Sequence, residues 1–199
     1  MTSCDKTANN HPSSLERGEE QFSPPRFNLD LDASSLNGKW IIIGMGNPIL
    51  GDDGVGWQVA LQVEAYLLHK FQGTDTPIPV ILNLAVGGLS LMEYLIGYER
   101  AILIDAIQTG TAPVGTVTCF PIEELPNRAA GHLCSAHDTT LQNAIQMGRT
   151  LGARLPDQIT IVAIEAEMVY DFTESMSPEV NAAVPTAFTK VIQILDANF

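Results

Sequence analysis

Positive charge is in short supply in this sequence. Only 10 Lys and Arg face 23 Asp and Glu, a formal net charge of −13. A general affinity for nucleic acid phosphates or for an anionic membrane is excluded on that balance. Cysteine is scarce too: Cys4, Cys119 and Cys134 are odd in number, widely spaced and form no CxxC pair. That excludes a disulfide framework and fits a reducing compartment. No run approaches the roughly 20 apolar residues of a membrane helix. The N-terminus is polar and lacks the apolar core of a signal peptide, so a cytoplasmic location is expected. Walker, HExxH and Gly-x-Ser-x-Gly sequences are absent, which leaves P-loop, zincin and serine-hydrolase chemistry without support.

What is present is an ordinary globular composition, 45 % hydrophobic and 17 % charged, in 199 residues. Such a chain holds one domain with a substantial core. Residues 1–36 are rich in Ser, Asn, Pro and charge. They have too little apolar surface to offset ordering entropy, and they read as a flexible N-terminal arm ahead of a domain over 37–199.

Within that domain, buried strands are expected at Trp40–Met45, Pro79–Leu84, Ala101–Ala106 and Ile159–Ile164, each a short apolar run. Gly115–Phe120 follows strand three too closely for a parallel crossover, so it is expected as an antiparallel edge strand. Helices are expected from about Asp53, with Val55, Val59, Val63 and Leu67 on one face, and around Leu91–Leu95 after a break at Gly87 and Gly88. A third carries Leu141, Ala144, Ile145, Gly148 and Leu151. The last opens on Ser177-Pro178, an N-cap and first-turn proline, and buries Val180, Val184, Phe188, Val191 and Leu195, with a kink at Pro185. Alternating strands and helices give an α/β three-layer sandwich around a twisted, mostly parallel five-stranded sheet with one antiparallel edge strand. No surplus apolar helix or heptad pattern asks for a partner, and a monomer is expected.

Three features fall at the C-terminal edge of that sheet, where open parallel sheets bind ligands. They are the glycine-rich loop Gly44–Gly56 after the first strand, Asp105 at the end of the third, and His137 before a helix. Two carboxylates and an imidazole suit a divalent transition metal. The loop could instead bind a nucleotide. Against this, Ile49 replaces the third glycine of GxGxxG, and Asp52 and Asp53 put negative charge where a pyrophosphate wants donors. Strand two also ends in Asn83-Leu84-Ala85, without an acid for a ribose. Taken alone, Asp52 reads as a helix N-cap, Asp53 as a cap or a ligand, Asp105 as a loop cap or a functional acid, and His137 as a helix-start residue. His132 and Cys134 read as plain loop residues or extra metal contacts. Their joint placement favours function.

The residues that converge here resemble the hydrogenase maturation endopeptidases. The resemblance lies in Gly44-Met45-Gly46-Asn47 with its acidic pair and Gly54-Val55-Gly56, and in Leu103-Ile104-Asp105-Ala106. It continues through Ser135-Ala136-His137-Asp138 and Met176-Ser177-Pro178-Glu179-Val180. The resemblance spans Trp40 to Leu195 and leaves the arm without a counterpart. Ile164-Glu165-Ala166-Glu167 departs from the Pro-Glu that many members show. The resemblance implies an endopeptidase that removes the C-terminal extension of a nickel-loaded [NiFe] hydrogenase large-subunit precursor. Nickel would be carried by the substrate, and no organic cofactor is implied. It also implies Asp53, Asp105 and His137 as the metal-contacting, catalytic trio, with Asn47, Gly87 and Gly88 beside the substrate tail. Asp53 stands where Glu is common, one methylene shorter. A non-catalytic nickel-binding or scaffold protein on the same fold is the alternative. A nucleotide-binding module and a germination-type protease follow, the latter fitting the His137 segment less well.

Overall fold

Apolar strand runs and amphipathic helices assemble as the patterning requires. The structure, a computed structural model, describes residues 39–125, 140–167 and 172–197. The arm expected at 1–36 lies outside the described residues. The elements are β1 Trp40–Met45, α1 Val55–Lys70, β2 Val80–Leu84, α2 Gly88–Tyr94 and β3 Arg100–Ile107. They continue with β4 Val117–Pro121, α3 Leu141–Thr150, β5 Gln158–Glu165 and α4 Pro178–Asp196. The sheet order is β2-β1-β3-β5-β4. All neighbours are parallel except β4 on β5, where Cys119 faces Val162. The three-layer architecture and the antiparallel edge strand are as the sequence predicts.

Strand alternation explains the two cores. Trp40, Ile42, Ile102, Ile104, Val162 and Ile164 point to one face of the sheet, where Val59, Val63 and Leu67 of α1 and Val184, Val191 and Leu195 of α4 cover them. Ile41, Ile43, Met45, Leu103 and Ile161 point to the other, beneath Leu91 and Leu95 of α2 and Leu141 and Ile145 of α3. Both faces are buried, so the central strands read as continuous apolar runs rather than alternating ones.

Local departures have local causes. A 3-10 turn over Gly51–Gly54 precedes α1, so the helix begins at Val55 instead of Asp53. Leu151, expected on the buried face of α3, is the C-cap residue and 81 % exposed. The chain leaves the helix at that point and turns through Gly152 at φ 85°. Pro185 faces solvent, and α4 continues past it to Asp196. Among the described residues no helix is long and apolar enough to cross a membrane.

Candidate active site

The chain lays β2 on one side of β1 and β3 on the other, and α1 and α2 cover opposite faces. The strand order therefore reverses at β1 and β3, which opens a crevice beyond their C-terminal ends. Asp53 lies in the turn that follows β1, and Asp105 lies on β3. Both are buried, at 4 % and 1 % exposed. β3 runs on to Ile107, so Asp105 stands inside the strand opposite Ala163 and does not close it as the sequence suggests. By alternation it shares its face with Leu103 and Ile107, the face covered by α2 and α3.

Glycines let the first loop lie against the strand ends. Gly46 has φ 115°, and a β-carbon there would sit 1.7 Å from the carbonyl oxygen of Asp53. A β-carbon on Gly56 would sit 2.3 Å from the Met45 carbonyl oxygen and 2.4 Å from that of Ile104, the residue before Asp105. No side chain larger than hydrogen fits at either place, so the turn carrying Asp53 rests on the ends of β1 and β3. The Asn47 amide donates to Asp53 Oδ2 at 2.7 Å, and Asn47 Oδ1 accepts from the Ile49 amide at 3.2 Å. Asn47 is thus a shaping residue of the loop, directly attached to Asp53.

Asp52 behaves unlike its neighbour. It is fully buried and is no helix cap: neither the 3-10 turn nor α1 has a side-chain cap. Its Oδ1 accepts from the Ser177 amide at 2.6 Å, and its Oδ2 accepts from the Ser177 hydroxyl at 3.1 Å and from the Glu167 amide at 3.5 Å. The Ser177 oxygen in turn accepts from the Val180 amide and caps α4. A parallel bridge between Leu50 and Thr173 joins the same two segments, with Gly51 N–H to Thr173 O at 2.7 Å. Sequence reasoning identified Ser177 as a cap. Its partnership with Asp52, across 125 residues, left no local signal.

The other loops at this edge are also fixed. Glu165 accepts from the Thr109 and Gly110 amides at 2.8 Å each and from the Thr109 hydroxyl at 2.7 Å, which pins the loop after β3 to the end of β5. Gly87 is extended and caps α2, and Gly88 opens that helix, buried, at φ 52°. They start a helix at the same edge instead of merely breaking the strand. The Asn83 side-chain oxygen is buried against Gly44 with no hydrogen-bond partner among the described residues.

His137, His132 and Cys134 lie outside the described residues. The chain resumes at Thr140, which caps α3 by accepting from the Asn143 amide. Because α3 must return to the start of β5, where Arg154 and Asp157 bond near the start of β3, it begins toward the C-terminal strand ends. Among the described residues, no three His, Cys, Asp or Glu side chains gather as a metal site. Of the expected trio, the described structure includes Asp53, in the turn after β1, and Asp105, on the neighbouring strand β3, both buried.

Comparison with known proteins bears on the same chemistry. A model of a family described as hydrogenase maturation protease (HycI) matches residues 66–194, a span that includes Asp105 and His137 but not the first loop. The hydrogenase expression/formation protein HupD of Rhizobium leguminosarum is 25 % identical over 155 residues, 78 % of this chain and 73 % of that one. The hydrogenase 2 maturation protease of Escherichia coli is 24 % identical over 156 residues, 78 % of this chain and 89 % of that one. Among solved structures, the hydrogenase maturating endopeptidase HybD from E. coli has a TM-score of 0.60 at 19 % identity, covering 80 % of this chain and 93 % of that one. The [NiFe] hydrogenase maturation protease HybD from Thermococcus kodakarensis has a TM-score of 0.56 at 23 % identity, covering 78 % and 98 %. These structural likenesses speak to the fold.

Proposed function

The chain belongs to the hydrogenase maturation protease family, and on that footing we propose that it cleaves the C-terminal extension from a nickel-loaded [NiFe] hydrogenase large-subunit precursor. The observation that carries the reading is the burial of Asp53, in the turn after β1, and of Asp105, on β3, the two strands flanking the switch point of the sheet. Two carboxylates held on fixed backbone at that edge supply oxygen donors of the kind that a divalent cation carried in by a partner accepts.

In this reading, Asp53, Asp105 and His137 contact the nickel that the precursor brings, so the metal is part of the substrate and marks it as loaded. Bound there, nickel can polarise a carbonyl or lower the pKa of water. The protein's own part is positional. Asp53 is held by Asn47, the first loop is seated on β1 and β3 by Gly46 and Gly56, and the substrate tail is assigned to the side of the crevice where Gly87 and Gly88 open α2. Holding the scissile bond beside a fixed site supplies the proximity on which hydrolysis depends. Water then adds across one C–N bond, giving a new carboxylate on the mature subunit and a free amine on the released peptide.

The test is intact-mass measurement of a large-subunit precursor, with and without nickel, before and after incubation with the enzyme. Loss of a short C-terminal peptide from the loaded form alone is expected. An unchanged mass for the loaded precursor, with the two proteins still associating, would replace this reading with that of a non-catalytic nickel-binding partner.

A further inference from the structure

Resting on that proposed function, we infer that Asp52 is a positioning residue that sets Asp53 in place by locking the first loop to the N-terminus of α4. Three observations support this. Asp52 is fully buried and caps no helix, and its oxygens are met by two donors of Ser177 and the amide of Glu167. Ser177 is the first anchored point of a 19-residue helix packed along the sheet, so it is a rigid reference. The loop is itself short and bridged: Thr173 exchanges hydrogen bonds with Ile49 and Gly51 on either side of Leu50. Asp53 follows Asp52 directly, and the Asn47 amide reaches back to it. Any shift of Asp52 therefore moves the Asp53 carboxylate relative to Asp105.

Two neighbouring acids thus divide one task. Asp53 faces the chemistry and Asp52 faces the scaffold. The N-terminal end of α4 favours the buried carboxylate, because its amides and dipole are directed there. An amide in place of Asp52 would turn an NH2 group toward at least one donor and leave that contact unmade.

The experiment uses the full chain and three variants, Asp52→Asn, Ser177→Ala and Ser177→Thr, with two readouts. The first is cleavage of nickel-loaded precursor, per folded molecule and well below each variant's melting temperature. Asp52→Asn is expected to lower kcat by roughly 10- to 100-fold, the scale of an ångström-level misplacement, with KM within about twofold. Ser177→Ala should slow turnover less, and Ser177→Thr, which keeps the hydroxyl, should restore it. The second readout needs no substrate: hydrogen exchange of the Asn47 amide by NMR, since that amide is bonded to Asp53. Faster exchange is expected in Asp52→Asn and Ser177→Ala, and wild-type exchange in Ser177→Thr.

A variant with lowered melting temperature but wild-type kcat and wild-type Asn47 exchange would show Asp52 to be merely structural and overturn the inference. If Asp52→Asn fails to fold, the Ser177 pair decides on both readouts. If the wild type cleaves no precursor, the functional reading fails while the exchange measurement still judges the positioning role.

Discussion

The two ends of the sheet are built on different principles. At the C-terminal end every buried polar or charged side chain of the described core is gathered: Asp52, Asp53, Asp105, Glu165 and Ser177. At the opposite end the turns are joined by backbone bonds, such as Gly97 N–H to Arg154 O and Asp157 N–H to Glu99 O. Charge there stays in solvent, as in the exposed Lys70–Asp196 pair between the ends of α1 and α4. Burying a carboxylate is costly, and a fold that needed only stability could close both ends in the cheaper way. The asymmetry sets the C-terminal end, where the proposed site lies, apart from the other. The acids there also differ in reach: Asp52 and Glu165 accept from segments more than 50 residues away, while Asp53 accepts from the Asn47 amide of its own loop.

The comparison can be broken most forcefully at Asp53. Asp53→Asn is expected to slow cleavage by roughly 100- to 10,000-fold, the range seen for groups acting directly in proton transfer or charge positioning. Its urea midpoint should stay near that of the wild type, because an amide oxygen still accepts the Asn47 N–H. Gly46→Ala comes next, and it should harm stability and activity together. The added carbon collides with the Asp53 backbone at a positive φ, for an expected loss of about 2–5 kcal/mol by denaturant unfolding.

A change in the shared core should not distinguish the two ends. Ile102→Val, fully buried mid-strand, is expected to cost about 0.5–1.5 kcal/mol and to leave turnover of the folded enzyme unchanged. The smallest effect is predicted at the far end, where Lys70→Ala should leave both the urea midpoint and cleavage unaltered. Asp196 raises the Lys70 pKa above its ordinary 10.5. Whatever that pair contributes is therefore present below the ordinary value and is lost only as pH climbs through the raised one.

The same contrast explains what could be read from sequence. Strand runs such as Ile41-Ile42-Ile43 and Ile102-Leu103-Ile104 are local signals of double-sided burial, and from them the order and layering of the fold follow. The Ser177-Pro178 helix start is equally local. Asp105 could be placed toward the C-terminal sheet edge because the direction of its strand follows from the alternation of strands and helices, although β3 runs two residues beyond it. What sequence could not supply was contact between distant segments. Asp52 reads as a helix cap from its neighbours alone, yet its partner is Ser177. Leu151 fits the helical period, but the chain has already turned away. Glu165 carries no local signal of its role, and its service to the loop after β3 is visible only in three dimensions.

The measurement that tests the central claim most directly is single-turnover cleavage of a nickel-loaded large-subunit precursor by Asp105→Asn, followed by intact mass, with folding checked by urea unfolding. The account predicts a folded protein that leaves the C-terminal extension in place over times in which the wild type removes it completely. A folded Asp105→Asn enzyme that released the peptide at the wild-type rate would contradict the claim that the buried acids at the C-terminal sheet edge perform the processing.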